Sequence, residues 1–136
     1  KAETGQKISS ALTHWPVQIR LVPPTAPFLK GADLLIASDC TPVAYPGFHQ
    51  NLLAGRTVLM GCPKFDDGED YIQRLAEIFR QAGIKSITVA IMEVPCCSRM
   101  PVIVGQALAL SGKRIPVEVV VISGRGEILR REGLAA

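Results

Sequence analysis

"ADLLIASDC" (Ala32–Cys40) and "RTVLMGC" (Arg56–Cys62) are the two stretches that decide the fold of this chain. Each is a continuous apolar run without polar alternation, which is typical of strands buried on both faces of a parallel sheet. The segment between them, "YPGFHQNLLAG" (residues 45–55), predicts a short helix that ends at Gly55. Together the three stretches predict a first strand, helix, strand unit.

A second unit of the same kind follows. The acidic "DDGED" (residues 66–70) favours a helix N-terminus, and apolar residues recur behind it at helical spacing until "AGI" ends the element. These apolar residues are Tyr71, Ile72, Leu75, Ile78 and Phe79. We then expect a β-branched strand over Ser86–Val94, and a helix with an initial proline and a final glycine over Pro101–Gly112.

The two ends of the chain carry weaker patterns. Apolar residues at spacings of four and three predict a short amphipathic helix over Gly5–Trp15, and alternation predicts a strand near a sheet edge over Pro16–Pro24. At the other end, Pro116–Ile122, the turn "SGRG" and "EILRR" predict a β-hairpin. The tail "EGLAA" is expected to be loose.

These elements predict the fold class. Strands separated by helices require right-handed crossovers, so we expect a three-layer α/β domain: a mostly parallel open sheet with helices on both faces and a C-terminal hairpin. A chain of 136 residues suits a single domain, residues 1–136. Because the first residue is Lys1 rather than Met, we also expect this domain to be a fragment of a longer chain.

Composition excludes several classes of partner. The net charge is only +3, the basic residues are scattered, and aromatic residues make up 5%, so nothing indicates a nucleic-acid interface. No apolar run approaches the roughly 20 residues that a membrane-spanning helix needs. Four cysteines without a secretion signal fit a reducing compartment, so we expect a cytoplasmic protein.

The cysteines are the residues that carry chemistry. Cys40, Cys62 and the adjacent pair Cys96 and Cys97 each follow a predicted parallel strand. The carboxyl ends of parallel strands meet at one edge of a sheet, so we expect the four thiols to converge there. Prolines beside each of them break the strand ladders and favour exposed bends.

Four thiolates suit an iron–sulfur cluster or a tetrahedral zinc site, and the spacing does not separate the two. A redox-active dithiol at the pair, serving a thiol-dependent enzyme, and simple burial as small apolar residues are further alternatives. His49 is an additional candidate ligand, although we favour the first turn of a surface helix for it. We interpret His14 as a helix-end contact, and Asp39 could tune the charge of the site. No phosphate-loop or dinucleotide fingerprint occurs in the sequence.

Four stretches resemble a known family: "HWPVQIRLVPP", "ADLLIASDC", "GCPKFDD" and "MEVPCC". They are similar to bacterial and archaeal proteins described as iron–sulfur cluster-binding oxidoreductases, in which a two-cluster ferredoxin module commonly precedes such a domain. The resemblance implies an electron-transfer domain, a 4Fe-4S cluster on Cys40, Cys62, Cys96 and Cys97, and a ferredoxin-like module or redox protein as partner. The chain departs from the family after the pair, where "SRMP" replaces a glycine-rich stretch.

Overall fold

A computed structural model describes residues 8–95 and 98–134. The sheet contains five strands, and three α-helices lie between the first four of them. In chain order the elements are β1 (Asp33–Ser38), α1 (Thr41–Ala44), β2 (Thr57–Gly61), α2 (Gly68–Gln81), β3 (Ser86–Met92), α3 (Arg99–Ser111), β4 (Val117–Ile122) and β5 (Ile128–Leu134). A 3₁₀ turn precedes β1, and a π-helix, Phe48–Leu53, lies between α1 and β2.

The strand order is β2-β1-β3-β4-β5, in which β1 to β4 run parallel and β5 pairs antiparallel with β4. The predicted α/β class with its C-terminal hairpin is therefore confirmed. From β1 the chain first moves outward to β2 and then returns past β1 to β3, so successive right-handed crossovers place their helices on opposite faces. The order reverses between β1 and β3, which is where open α/β sheets bind ligands.

Apolar burial holds the three layers together. Leu34, Leu35 and Ile36 of β1 are fully buried, as expected for a central strand that is covered on both faces. Burial of one such side chain contributes about 1.5–3 kcal/mol. On one face α2 packs against α3 and directs Leu75 and Phe79 into the core.

The start of α2 forms as its sequence predicts. The Asp67 side chain caps the helix by accepting a hydrogen bond of 2.9 Å from the backbone N–H of Glu69. Glu69 and Asp70 in the first turn add negative charge next to the positive end of the helix dipole. The acidic stretch is therefore a helix start, as its pattern indicates.

Three local predictions are wrong. The described part of the segment Gly5–Trp15 forms no helix: Leu12 packs against the core, whereas Ile8 and Trp15 are 82% and 75% exposed, so the three residues do not share one buried helical face. The segment Pro16–Pro24 lies at the sheet edge, but it contributes only one bridge, between Gln18 and Met60, before turns take over. The tail "EGLAA" is not loose where it is described: residues 132–134 belong to β5, which pairs with the free edge of β4, and the last two residues lie outside the described part of the chain.

The crossover from β1 to β2 also differs from prediction. Instead of one short helix ending at Gly55, the chain forms α1 directly after Cys40 and then the π-helix. Gly55 follows in the left-handed region, with φ of 77°, so it does end the helical segment. Phe48 and Leu52 of the π-helix are buried in the core, and this packing fixes the π-helix on the sheet.

Candidate functional site

The register between β1 and β2 sets the positions of two cysteines. Ser38 lies opposite Gly61, and the ladder extends by one more bond, in which the Asp39 N–H donates to the Gly61 carbonyl over 3.1 Å. Cys62 follows Gly61 directly, and Cys40 follows Asp39. The structure therefore places Cys40 and Cys62 on neighbouring strand ends, at the carboxyl edge of the sheet.

Cys40 lies where the chain leaves β1 for α1. Its backbone is helical, and its carbonyl accepts the first helical hydrogen bond, from the Ala44 N–H at 3.0 Å. The buried Thr41 hydroxyl donates to the Ser38 carbonyl over 2.9 Å and so ties α1 to the strand end. The Cys40 residue is exposed, beside the point where strand order reverses.

Cys62 is half-buried and is held by a polar network beneath the turn that follows β2. Its backbone N–H donates to the Tyr71 hydroxyl over 3.0 Å, and that hydroxyl donates in turn to the Asp66 carboxylate. Arg20 completes the network with an ion pair of 3.0 Å to the other Asp66 oxygen. Burial and the Asp66 carboxylate raise the Tyr71 pKa, so the phenol stays protonated and keeps donating.

The network requires a glycine at the end of β2. A Cβ atom on Gly61 would lie 2.3 Å from the Tyr71 hydroxyl oxygen, a distance that no real contact allows. After Gly61 the chain turns at once, because the Cys62 carbonyl accepts from the N–H groups of Phe65 and Asp66, at 3.1 and 3.0 Å. The turn therefore presents Cys62 from a fixed backbone.

Cys96 and Cys97 lie outside the described residues, so their predicted place beside Cys40 and Cys62 stays a prediction. The flanking residues are described. Glu93 continues the ladder beyond β3 by donating to the Ile122 carbonyl over 2.9 Å, and Ser98 donates to the Pro95 carbonyl from both its N–H and its hydroxyl, at 3.2 and 2.6 Å. Segments on both sides of the pair are thus anchored at the carboxyl edge.

Arg99 lies in the stretch "SRMP", where the chain departs from the resembling family, and it brings a positive charge close to the cysteine pair. A Cβ atom on Gly68 would lie 3.0 Å from the Arg99 guanidinium, so that group lies against the first turn of α2. The Arg99 guanidinium therefore lies between the first turn of α2 and the first turn of α3. The acidic first turn of α2 is a favourable neighbour for it.

One buried hydroxyl at this edge lacks a hydrogen bond. The Ser38 side chain is 1% exposed, and its oxygen has no partner among the residues that the structure describes. Buried polar atoms are almost always satisfied, so this hydroxyl at the end of a central strand is an exception. Nothing in the sequence distinguished Ser38 from its apolar neighbours in β1.

A family model described as a Rossmann-like domain matches residues 26–135, which is most of the chain. This chain belongs to the Rossmann-like domain family. An uncharacterized protein of Archaeoglobus fulgidus is 33% identical over 115 residues, covering 85% of this chain and 81% of that protein. No solved structure matches the chain.

This Rossmann-like domain lacks the glycine-rich turn of dinucleotide-binding relatives. The connection from β1 to α1 is only Asp39 and Cys40, and no glycine occurs there or in α1. Phosphate binding in such folds depends on glycines there, because the backbone must approach the ligand closely. The family therefore establishes the fold, whereas the function has to be argued from the cysteines.

The histidines of the Rossmann-like domain have structural partners. His49 is an exposed residue in the first turn of the π-helix, in agreement with the favoured interpretation, and its Nδ1 accepts from the Ala11 N–H over 3.0 Å. The helix-end contact predicted for His14 is wrong: Nε2 of His14 accepts from the Val58 N–H over 3.0 Å, and its ring stacks on Phe28. Within the part of the chain that the structure describes, no three His, Cys, Asp or Glu side chains form a metal-binding group.

Three exposed apolar side chains lie in the segments that follow strands at the carboxyl edge, a feature that the sequence did not reveal. Val43, Phe65 and Val94 follow β1, β2 and β3, and they are 90%, 81% and 43% exposed. Apolar residues gathered around one edge are typical of a surface that meets a partner. Asp39, beside Cys40, adds an exposed carboxylate that accepts a long hydrogen bond, 3.5 Å, from Gln18.

Across residues 8–95 and 98–134, the helices are too short or too polar for any of them to cross a membrane.

Proposed function

We propose that this Rossmann-like domain holds an iron–sulfur cluster at the carboxyl edge of its sheet and transfers electrons as a component of an oxidoreductase. The observation that carries the proposal is the register of β1 and β2, which supports a shared site for Cys40 and Cys62. We assign Cys96 and Cys97 to the same edge from the sequence alone, because they follow the anchored segment that ends at Pro95.

The donor chemistry fits the cofactor. Thiolates are the ligands of iron–sulfur clusters, and four of them match a 4Fe-4S cluster. The half-buried Cys62 and the exposed Cys40 come from rigid positions, a strand end and a helix cap, which suits a preorganised site. When bound, such a cluster supplies one-electron chemistry, and the chain's own contribution is to hold, shield and position it.

The surroundings of the site support a protein partner. The exposed apolar side chains of Val43, Phe65 and Val94 follow the ends of β1, β2 and β3 and could bury against a neighbour without loss of polar contacts. We propose a ferredoxin-like module or another redox protein for that role, in line with the resemblance of the cysteine stretches. Close approach at this edge would bring the partner's cofactor near the cluster.

The test is metal analysis of protein made and purified without oxygen. We expect about four iron and four sulfide per chain, and an EPR signal after reduction with dithionite. Cys62→Ser should remove most of the iron. Lys64→Ser, an exposed change in the same turn, is the matched control and should keep the iron.

Other results would favour other functions. Zinc in place of iron, with no absorbance near 400 nm and lower thermal stability after chelation, would replace the proposal with a structural or regulatory zinc site. Metal-free protein whose activity disappears on alkylation of one cysteine would favour a thiol-dependent enzyme. Protein that stays free of iron and sulfide after reconstitution would refute the cluster.

A further inference from the structure

A second site lies at the opposite end of the sheet from the cysteines. A groove of about 350 Å³ runs between the last two turns of α3, the start of β4 and the end of β5. Its floor and walls are apolar and come from Val104, Leu108, Ile115, Val117 and Leu134. The volume is within the range of small-molecule sites, about 300–1,000 Å³.

Small residues keep the groove open. Gly105 and Ala109 form the side of α3 that borders it, and a Cβ atom on Gly105 would meet no atom within 4 Å. A glycine in the middle of a helix costs about 0.5–1 kcal/mol relative to alanine, so its presence there works against stability. Leucine at either position would fill space that the chain leaves empty.

The mouth of the groove carries positive charge. Lys113 and Arg114 border it, and neither forms an ion pair with any residue that the structure describes. The nearby carboxylates have partners of their own: Glu132 pairs with Arg130 at 3.5 Å, and Glu118 with Arg131 at 2.8 Å. The two cations are therefore available to an anion from outside the chain.

The end of α3 does not require these cations. Gly112, in the left-handed region with φ of 73°, donates its N–H to the carbonyls of Leu108 and Ala109, at 3.1 and 3.3 Å. The next carbonyl, that of Leu110, accepts from Arg80 of α2 over 3.4 Å. These hydrogen bonds already cap α3, so Lys113 and Arg114 are not needed as capping residues.

We propose that the groove binds a small amphiphilic monoanion, a medium-chain carboxylate, independently of the cysteine edge. The apolar chain would lie along α3 from Val104 to Gly112, a rise of about 12 Å. Its carboxylate would meet Lys113 and Arg114. Burial against the apolar lining would supply most of the affinity. The two unpaired cations would make the groove prefer an anion to a neutral molecule.

Titration of the whole chain with decanoate, followed by ¹H–¹⁵N NMR, tests this site. Saturable shifts should appear in α3, the start of β4 and the end of β5, and Kd should improve about threefold to fourfold per methylene from hexanoate to decanoate. Decanol should bind about fivefold more weakly than decanoate, as should decanoate to the variant carrying Lys113→Gln and Arg114→Gln. Equal binding of decanol and decanoate would overturn the anion assignment.

Gly105→Leu tests the position of the site. We expect it to weaken decanoate binding more than tenfold while leaving the fold intact. Gly124→Leu, at another glycine with open space around it, is the control and should bind like the unaltered chain. Shifts that never saturate, shifts spread over the surface, or a Gly105→Leu variant that binds normally would each refute the site. A dimer that dissociates on Gly105→Leu and ignores decanoate would identify a second copy as the occupant and overturn the small-molecule proposal.

Discussion

The hydroxyl of Tyr71 is the best place to test how the domain holds its cysteine edge. Tyr71→Phe removes one oxygen and leaves the buried ring in place. That oxygen accepts from the Cys62 N–H over 3.0 Å and donates to the Asp66 carboxylate, which is also paired with Arg20. The substitution therefore breaks both hydrogen bonds of the network without creating a large cavity.

The expected cost follows from those two bonds. An unsatisfied buried N–H costs about 1–3 kcal/mol, and a hydrogen bond to a charged group contributes about 1.5–3 kcal/mol. Water can reach part of the network, since the Asp66 side chain is 15% exposed and Cys62 is half-buried, so we take the lower part of the sum. Tyr71→Phe should lower the free energy of unfolding by about 2.5–4 kcal/mol and Tm by about 10 °C.

Urea denaturation and a thermal scan, both followed by circular dichroism, measure the loss. Tyr45→Phe is the matched control, because its hydroxyl accepts only one exposed hydrogen bond, from Asn51 at 2.7 Å. That variant should lose less than about 1 kcal/mol. Equal losses in the two variants would show that the Tyr71 network is no more than a surface contact, and would refute the argument that it fixes Cys62.

Two further predictions concern pH and the hairpin turn. Burial lowers the pKa of His14 below its usual 6.5, so the unfolded chain binds more protons, and stability should fall as pH drops below about 6.5. His14→Gln should make the free energy of unfolding, measured in urea at several pH values, depend less on pH. The substitution also weakens the hydrogen bond from the Val58 N–H, which lowers stability at every pH. An unchanged pH dependence would contradict the role given to His14. Gly126→Ala should lower the free energy of unfolding by at least about 2 kcal/mol in urea denaturation, because φ at Gly126 is 83° and the new Cβ would lie 2.5 Å from the Ala44 carbonyl oxygen. Gly124→Ala, with open space around it, should stay within about 0.5 kcal/mol, and equal effects at the two glycines would count against the close approach.

Local sequence patterns predicted the parts of the fold that depend on local chemistry. The continuous apolar runs of β1 and β2 and the helical spacing of α2 were sufficient, because each pattern matches one kind of burial. The same method failed over residues 8–24, where short apolar spacings predicted a helix and a strand. Ile19 and Val22 are fully buried there, but the backbone makes turn hydrogen bonds, from the N–H groups of Leu21 and Val22 to the Gln18 carbonyl, in place of a strand ladder. Apolar spacing predicts burial, and it does not decide between a turn and a strand.

The candidate site divides in the same way. Because Cys40 and Cys62 each follow a predicted strand, the sequence placed both at the carboxyl edge of the sheet. The register of β1 and β2 agrees with that position. The sequence could not indicate the network below Cys62, because Arg20 reaches Asp66 across 46 residues of chain. It also could not indicate that Ser38 would be buried without a partner.

By itself, the sequence determined an α/β domain, the polarity of its strands and the presence of four thiols after three of them. Periodicity and turn residues act over a few neighbours, so these features can be read without the fold. Only the tertiary structure decided the order β2-β1-β3-β4-β5, the exposure of Val43, Phe65 and Val94 after three strand ends, and the groove beside α3. Those features depend on which helix packs on which strand, and that choice is made by burial across the whole chain.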